Sequence, residues 1–449
     1  MKIGKCIGRM IGKRYIFFPV LWRKDTGISF GDIGAREWIG LQSIAMWYLI
    51  DRRMRFKEYF DILLKLKEDL QKQYSIEDKK ILFIVEYPIT GRLEKIGKAL
   101  KKKGYAITLL YSSRLVQSTD ALERFKECCE AVYAYDSTTQ LLYYIIHSRI
   151  PLAHFFIGWN DFTTPLLLLQ IRGIMPRIVS EKYDIFSGML GPMIAKKEYC
   201  RAEKYIMEYS DGVCCREYAM EYCVEKLGFQ LQRKNLVFLD YAEKVSCFEQ
   251  KERDGQELSL CYVGDIITEE KYSDASFACF LELAAKCEAN ECHLHVYPSV
   301  WDEKRSAEYI EYAKNSQYFH FHHPVEFSEL YGEITQYDYG ILPNRKTYLN
   351  KEIDGPRTRN KTIYASGNKF FDYISAGIPI IAISPVRLTE EIEKRGGILR
   401  WTIDDYDFDE LRRRKTELRE EMLRSRDYWM IDNRISELTD YYEQVLKNE

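Results

Sequence analysis

Residues 81–110, ILFIVEYPITGRLEKIGKALKKKGYAITLL, decide the fold. Ile81–Val85 is a continuous apolar run, which a strand buried on both faces requires, so a parallel sheet covered by helices is expected. After the loop Glu86–Thr90 and Gly91, the apolar Leu93, Ile96 and Leu100 recur on one helical face, with Lys95, Lys98, Lys101 and Lys102 on the others. Gly104 ends the helix, and Ala106–Leu110 is the next strand. Strand, helix and strand in this order make the repeating unit of a doubly wound α/β domain.

The alternation continues through strands expected at Ala131–Ala134, Leu152–Ile157, Arg177–Val179 and Gly212–Cys214, with helices such as Thr139–His147 and Lys197–Met207 between them. Residues 79–240 therefore read as one Rossmann-like domain. Phe238–Glu257 is polar, charged and aperiodic, which marks a linker. A second series, residues 255–402, opens with Leu258–Val263 and runs through His293–Tyr297, Tyr318–Phe321, Tyr339–Leu342 and Ile378–Ile383. Residues 1–78 read as a helical extension and residues 403–449 as a charged helical tail carrying Leu411, Leu418, Met422 and Tyr428.

A chain of 449 residues can bury two such cores. Lys+Arg 66 against Asp+Glu 68 leaves a net charge of −2, so no global field draws the protein onto nucleic acid, and an anionic ligand needs a local site. The 12 cysteines include the adjacent pairs Cys128-Cys129 and Cys214-Cys215, which does not suit a disulfide framework and fits a reducing cytoplasm. No apolar run approaches the length of a membrane span. In residues 1–14, Ile3, Cys6, Ile7, Met10 and Ile11 form one helical stripe with Lys2, Lys5, Arg9, Lys13 and Arg14 largely opposite, an arrangement open to peripheral contact with an anionic membrane surface. Gly4, Gly8 and Gly12 equally suit a helix packed on the protein itself.

Chemistry is expected where strands of the second series give way to helices. Pro343–Gly367 is a long loop holding Arg345, Lys346, Lys351, Arg357, Arg359 and Lys361 against Glu352 and Asp354. It leads into residues 368–381, NKFFDYISAGIPII. Here Asn368 can cap a helix, the exposed N–H groups with Lys369 offer positive potential for a diphosphate, and Asp372 lies one turn on, where a carboxylate can accept from ribose hydroxyls.

This segment resembles the donor-binding helix of GT-B glycosyltransferases, with Asn-Lys, an acidic residue and Tyr, then Gly-x-Pro before a buried strand. Tyr262-Val263-Gly264 followed by Lys271 is similar to the family's phosphate-binding Gly and Lys, and Tyr337–Pro343 to its later strand. In the first series Gly91 and Gly104 match the glycine loop and helix-ending glycine. Tyr364 and Asp265 stand where many relatives carry Glu and Arg. The resemblance implies two Rossmann-like domains facing across a cleft, a nucleoside-diphosphate sugar as donor, and no cofactor. The implied donor site is Gly264, Lys271, Arg345, Asn368, Lys369 and Asp372, with Gly91 on the acceptor side. An inverting enzyme needs a base from the first domain, and Asp184 of Tyr183-Asp184 takes that part, with Asp161 and His154 behind it. A nucleotide-sugar epimerase of the same fold and a non-catalytic scaffold are the rivals. His293/His295 and His320/His322/His323, with Cys287 and Cys292 nearby, are explained by strand alternation, and no metal is expected.

Overall fold

Two parallel sheets carry the chain. The structure, a computed structural model, describes residues 79–113, 119–136, 140–141, 144–145, 148, 150–158, 165, 168, 176–182, 184–185, 187, 197–231, 235–244, 257–264, 266, 280–342, 364, 367–383, 387–401 and 406–447. The expected helices of residues 1–78, the stripe of residues 1–14, Asp161, Tyr183, Asp265, Lys271, Arg345 and nearly all of the basic loop lie outside the described residues.

The first sheet consists of β1 (Lys80–Val85), β2 (Ala106–Ser112), β3 (Ala131–Tyr135), β4 (Leu152–Ile157), β5 (Arg177–Lys182), β6 (Gly212–Cys215) and β7 (Asn235–Val237), in the order β3-β2-β1-β4-β5-β6-β7. The second consists of β8 (Leu258–Val263), β9 (Cys292–Tyr297), β10 (Phe319–Phe321), β11 (Tyr339–Leu342), β12 (Ile380–Ala382) and β13 (Ile398–Arg400), in the order β10-β9-β8-β11-β12-β13. The first strand of each sheet lies between its second and fourth. The order reverses there, and the crevice outside the carboxyl ends at that point is where such sheets bind ligands.

Ile81 through Val85 are at most 1% exposed, as their unbroken apolar run requires. Burying each such side chain contributes about 1.5–3 kcal/mol. The helices used below are α1 (Gly91–Lys102), α2 (Thr119–Lys126), α3 (Lys197–Tyr209), α4 (Ala219–Leu227), α5 (Leu281–Ala289), α6 (Glu303–Asn315), α7 (Phe327–Ile334), α8 (Asn368–Ala376), α9 (Arg387–Glu393), α10 (Phe408–Trp429) and α11 (Ile431–Lys447).

Two expectations need correction. Phe238–Glu257 is not a solvated linker at its start: Phe238, Leu239, Tyr241 and Ala242 are all buried, and Asp240 is 2% exposed in an ion pair with Arg92. The tail is not one charged helix. It breaks at Met430, whose backbone is extended, and Met430 bridges to Ala242. Beyond that break α11 returns to the first sheet, where Tyr441 Oη accepts from Val213 N at 2.7 Å and Tyr442 Oη meets His154 Nδ1 at 2.6 Å. Short β7 and β13 and helix α9 also lie outside the alternation read from the sequence. No helix among the described residues is long and apolar enough to cross a membrane.

Candidate active site

The second domain's wall of the crevice is built on Tyr373. Its ring lies on β11 at Gly340, where a Cβ would stand 2.3 Å from Tyr373 Cγ, so only glycine leaves room. Its hydroxyl reaches under the sheet to the carbonyls of Cys261 at 3.3 Å and Ile341 at 3.2 Å, and accepts from Val263 N at 3.3 Å. These bonds fix α8, through its second turn, against β8 and β11. The helix then ends at Gly377, left-handed at φ +71, and the chain drops into β12.

That placement brings Lys369 over the turn after β8. Gly264 has φ +132, and a Cβ there would lie 2.2 Å from Lys369 Cε and 2.7 Å from Nζ. Gly264 N donates to Tyr297 O at 2.9 Å, and Lys369 Nζ stands 5.4 Å from the centre of the Tyr262 ring. A glycine with a bare backbone, a lysine ammonium and a helix amino end thus converge on one spot, which suits an anion.

Asp372 is one turn further on. Tyr331 Oη of α7 donates to its Oδ1 at 3.3 Å. Burial pushes the Asp372 carboxyl up to about 6, against the pull of the Lys95 and Lys369 charges and the Tyr331 hydrogen bond.

Lys95 belongs to the opposite wall. It sits on α1, one turn beyond Gly91, which opens that helix at the carboxyl end of β1. Lys95 is buried, donates to Tyr241 O at 2.5 Å, and has its pKa lowered by burial against the pull of Asp240, Asp372 and Glu243. Arg92, on the same helix, is also buried and bonds Glu181 at 2.9 Å and Asp240 at 3.1 Å. His154 joins this cluster through Glu181 at 3.3 Å and is fully buried, so it is a core histidine.

Arg216 links the two walls. Its guanidinium contacts Asp184 at 3.0 Å, Asp240 at 3.2 Å and, from the first domain to the second, Asn368 Oδ1 at 2.9 Å. The expected helix cap is corrected by this bond: Gly367 is the N-cap, Asn368 is the first helical residue, and its side chain is turned to Arg216. Tyr218 N donates to Tyr364 O at 3.0 Å beside it, so Tyr364 serves the domain junction.

Gly264, Asn368, Lys369 and Asp372 therefore come together, Asp184 reaches them through Arg216, and Gly91 heads the helix that carries Lys95. Sequence reasoning missed Arg216, Lys95 and Arg92. Arg216 had a usable signal, because a cation directly after a buried strand stands at the carboxyl edge of the sheet.

No protein-family model matches the chain, and no curated protein sequence matches it. Among solved structures it is similar to a mutant of the Thermobaculum terrenum O-GlcNAc transferase, at 11% identity and TM-score 0.52 over 91% of this chain and 78% of that one. The fold is GT-B. Anabaena HepE in complex with UDP is similar at 10% identity and TM-score 0.49, over 82% of this chain and 97% of that one. A putative UDP-N-acetylglucosamine 2-epimerase from Listeria monocytogenes is similar at 9% identity and TM-score 0.48, over 83% and 98%. At such identities the likeness is one of fold.

Proposed function

We propose that this GT-B chain is a glycosyltransferase that moves a sugar from a nucleoside-diphosphate donor to a glycan, lipid-linked or protein acceptor bound between its domains. The observation that carries the reading is the seat of Lys369 against Gly264, with Asp372 one turn away. In this reading the amino end of α8 and Lys369 hold the diphosphate, joined by Lys271 and Arg345, and Asp372 accepts from the ribose hydroxyls. Negative charge grows on the diphosphate as the glycosidic bond to it breaks, so a fixed ammonium and helix dipole stabilise the transition state more than the ground state. Asp184 is the base for an inverting reaction: it belongs to the first domain, and Arg216 holds it near Asn368. Closure of the cleft excludes water and so limits hydrolysis of the donor.

The test is calorimetric titration with a panel of nucleoside diphosphates, followed by assay of nucleoside-diphosphate release from the matching sugars. Binding of one diphosphate, weakened at least about tenfold by Lys369→Ala, is expected from the loss of a charged contact. A folded chain that binds none of them overturns the proposal. Recovery of an isomerised sugar nucleotide with no release would assign epimerase chemistry to the same site.

A further inference from the structure

Five histidines stand on or just beyond β9 and β10, and the site described above uses none of them. Along the chain they alternate with apolar residues, and alternation alone explains that pattern. The register adds something alternation does not contain. β10 pairs with β9 in parallel, with His320 opposite His295, so His293, His295, His320 and His322 share one face of two neighbouring strands. His293 Nδ1 is 2.8 Å from His320 Nε2, and His295 Nδ1 is 3.0 Å from His322 Nε2. One ligand nitrogen each from His293, His295 and His320 lies within 4.8 Å of the others.

We infer that His293, His295 and His320 form a binding site for a divalent transition-metal ion of the zinc type. A tetrahedral ion with Zn–N bonds of about 2.0–2.1 Å holds its ligand nitrogens roughly 3.3 Å apart. His295 and His320 now stack at 4.3 Å and 16°, so binding must turn the rings out of that stack until their nitrogen lone pairs converge on the ion. Imidazole nitrogen selects zinc, copper or nickel over magnesium or calcium, which want oxygen.

A second observation points the same way. His293 Nε2 is 2.8 Å from Glu257 Oε2. A carboxylate at one imidazole nitrogen keeps the proton there and leaves the other nitrogen as a lone pair, which is the usual support of a metal-binding histidine. Here that lone pair is His293 Nδ1, facing His320. Before metal enters, His320 Nε2–H donates to it. When the ion binds, the His320 proton moves to Nδ1, both facing nitrogens become ligands, and no proton is gained or lost by the neutral cluster. Water takes the fourth position on the open side, where the His293 side chain is 20% exposed. Because β10 is the edge strand of its sheet, the ion would clip that edge to β9. The other close group among the described residues, His154, Glu181 and Cys214, is wholly buried, and Arg92 already holds Glu181.

The full chain, stripped with a chelator, should be titrated with Zn2+ by calorimetry, and with Co2+ while the visible absorption of a tetrahedral complex is followed. One ion per chain is expected at this site, with a rise in melting temperature on loading. His320→Ala should lower the Zn2+ affinity at least about a hundredfold, and Glu257→Gln by about 10–100-fold, the usual loss for a residue that orients a metal-binding histidine. Glu257→Gln changes a side chain that is 66% exposed, so it reads the site without threatening the fold. A folded His320→Ala chain that binds Zn2+ as the parent does overturns the site. Should that variant fail to fold, parental affinity in Glu257→Gln overturns it instead. Neither outcome bears on nucleotide binding, so this site and the proposed transfer stand or fall separately.

Discussion

Arg216 of the first domain donates to Asn368 Oδ1 of the second at 2.9 Å, and the same guanidinium holds Asp184 and Asp240. The two substitutions that break this link differ in what they strand. Asn368→Ala removes one hydrogen bond at an exposed end and should cost about 1 kcal/mol or less. Arg216→Ala leaves Asp184 and the nearly buried Asp240 short of a cation and should cost about 2–3 kcal/mol, with Arg92 still holding Asp240. Urea denaturation of the two variants checks the order. Equal losses would mean that the link to Asn368, and not the acid pair, dominates.

Gly264→Ala tests the proposed phosphate seat. The added methyl falls 2.2 Å from Lys369 Cε at a backbone φ of +132, so Lys369 must leave and the turn is strained. Strain of this kind costs of order 1–3 kcal/mol of folding stability, and the displaced Lys369 should weaken nucleoside-diphosphate binding at least about tenfold, as expected of Lys369→Ala. The effect should be non-additive with Lys369→Ala, since both remove the same contact. Additive losses in calorimetry would separate the two residues.

The raised pKa of Asp372 gives opposite signs for stability and for binding. Its folded value of about 6 lies above the ordinary 3.8, so the folded chain holds a proton that the unfolded chain has released. Its stabilising contribution is therefore fully present below pH 3.8 and lost as pH rises through 6. In the proposed site ribose hydroxyls donate to the ionised carboxylate, so nucleotide affinity should fall as pH drops through about 6. A diphosphate also titrates in this range, and Asp372→Asn isolates the protein's share. The step in affinity between pH 5 and 7 should shrink in that variant, and a titration unchanged from the parent would falsify the ribose assignment.

What the sequence revealed depended on whether the signal was local. Ile81–Val85 and Leu258–Val263 announce themselves because a doubly buried strand must be apolar at every position, and the strands match those bounds closely. The placement of Lys369 and Asp372 at the start of a helix was legible because a helix amino end needs only its own neighbours. Lys95 was not, because nothing in GRLEKIGKALKK says which lysine turns inward; Asp240 and Tyr241, far along the chain, decide that. Phe238–Asp240 look like a linker until Arg92 is seen to bond their carbonyls and carboxylate. The histidines were legible as strand residues, but their meeting depends on strand register, which spacing along the chain does not contain.

The return of α11 to the first sheet makes the last residues part of that domain's core. Tyr441 Oη accepts from Val213 N at 2.7 Å and lies 3.0 Å from Val213 O, above Gly212, where a Cβ would stand 2.8 Å from the same oxygen. The hydroxyl thus satisfies backbone groups of β6 inside a buried layer, and glycine leaves it the room to do so. Tyr441→Phe keeps the ring but strands those groups, and the loss expected for an unsatisfied buried polar group is about 1–3 kcal/mol. Ending the chain at Met430 removes Ile435, Leu438, Tyr441, Tyr442 and Val445, all buried, and with Tyr442 one of the two partners of His154. That truncation should unfold the first domain outright, since the apolar side chains alone contribute about 1.5–3 kcal/mol each, against a total domain stability of about 5–15 kcal/mol. Hydrogen exchange of β4, β5 and β6 in the truncated chain is the measurement. Retained protection there would show that α11 merely leans on the first sheet, and the small loss expected for Tyr441→Phe would then vanish as well.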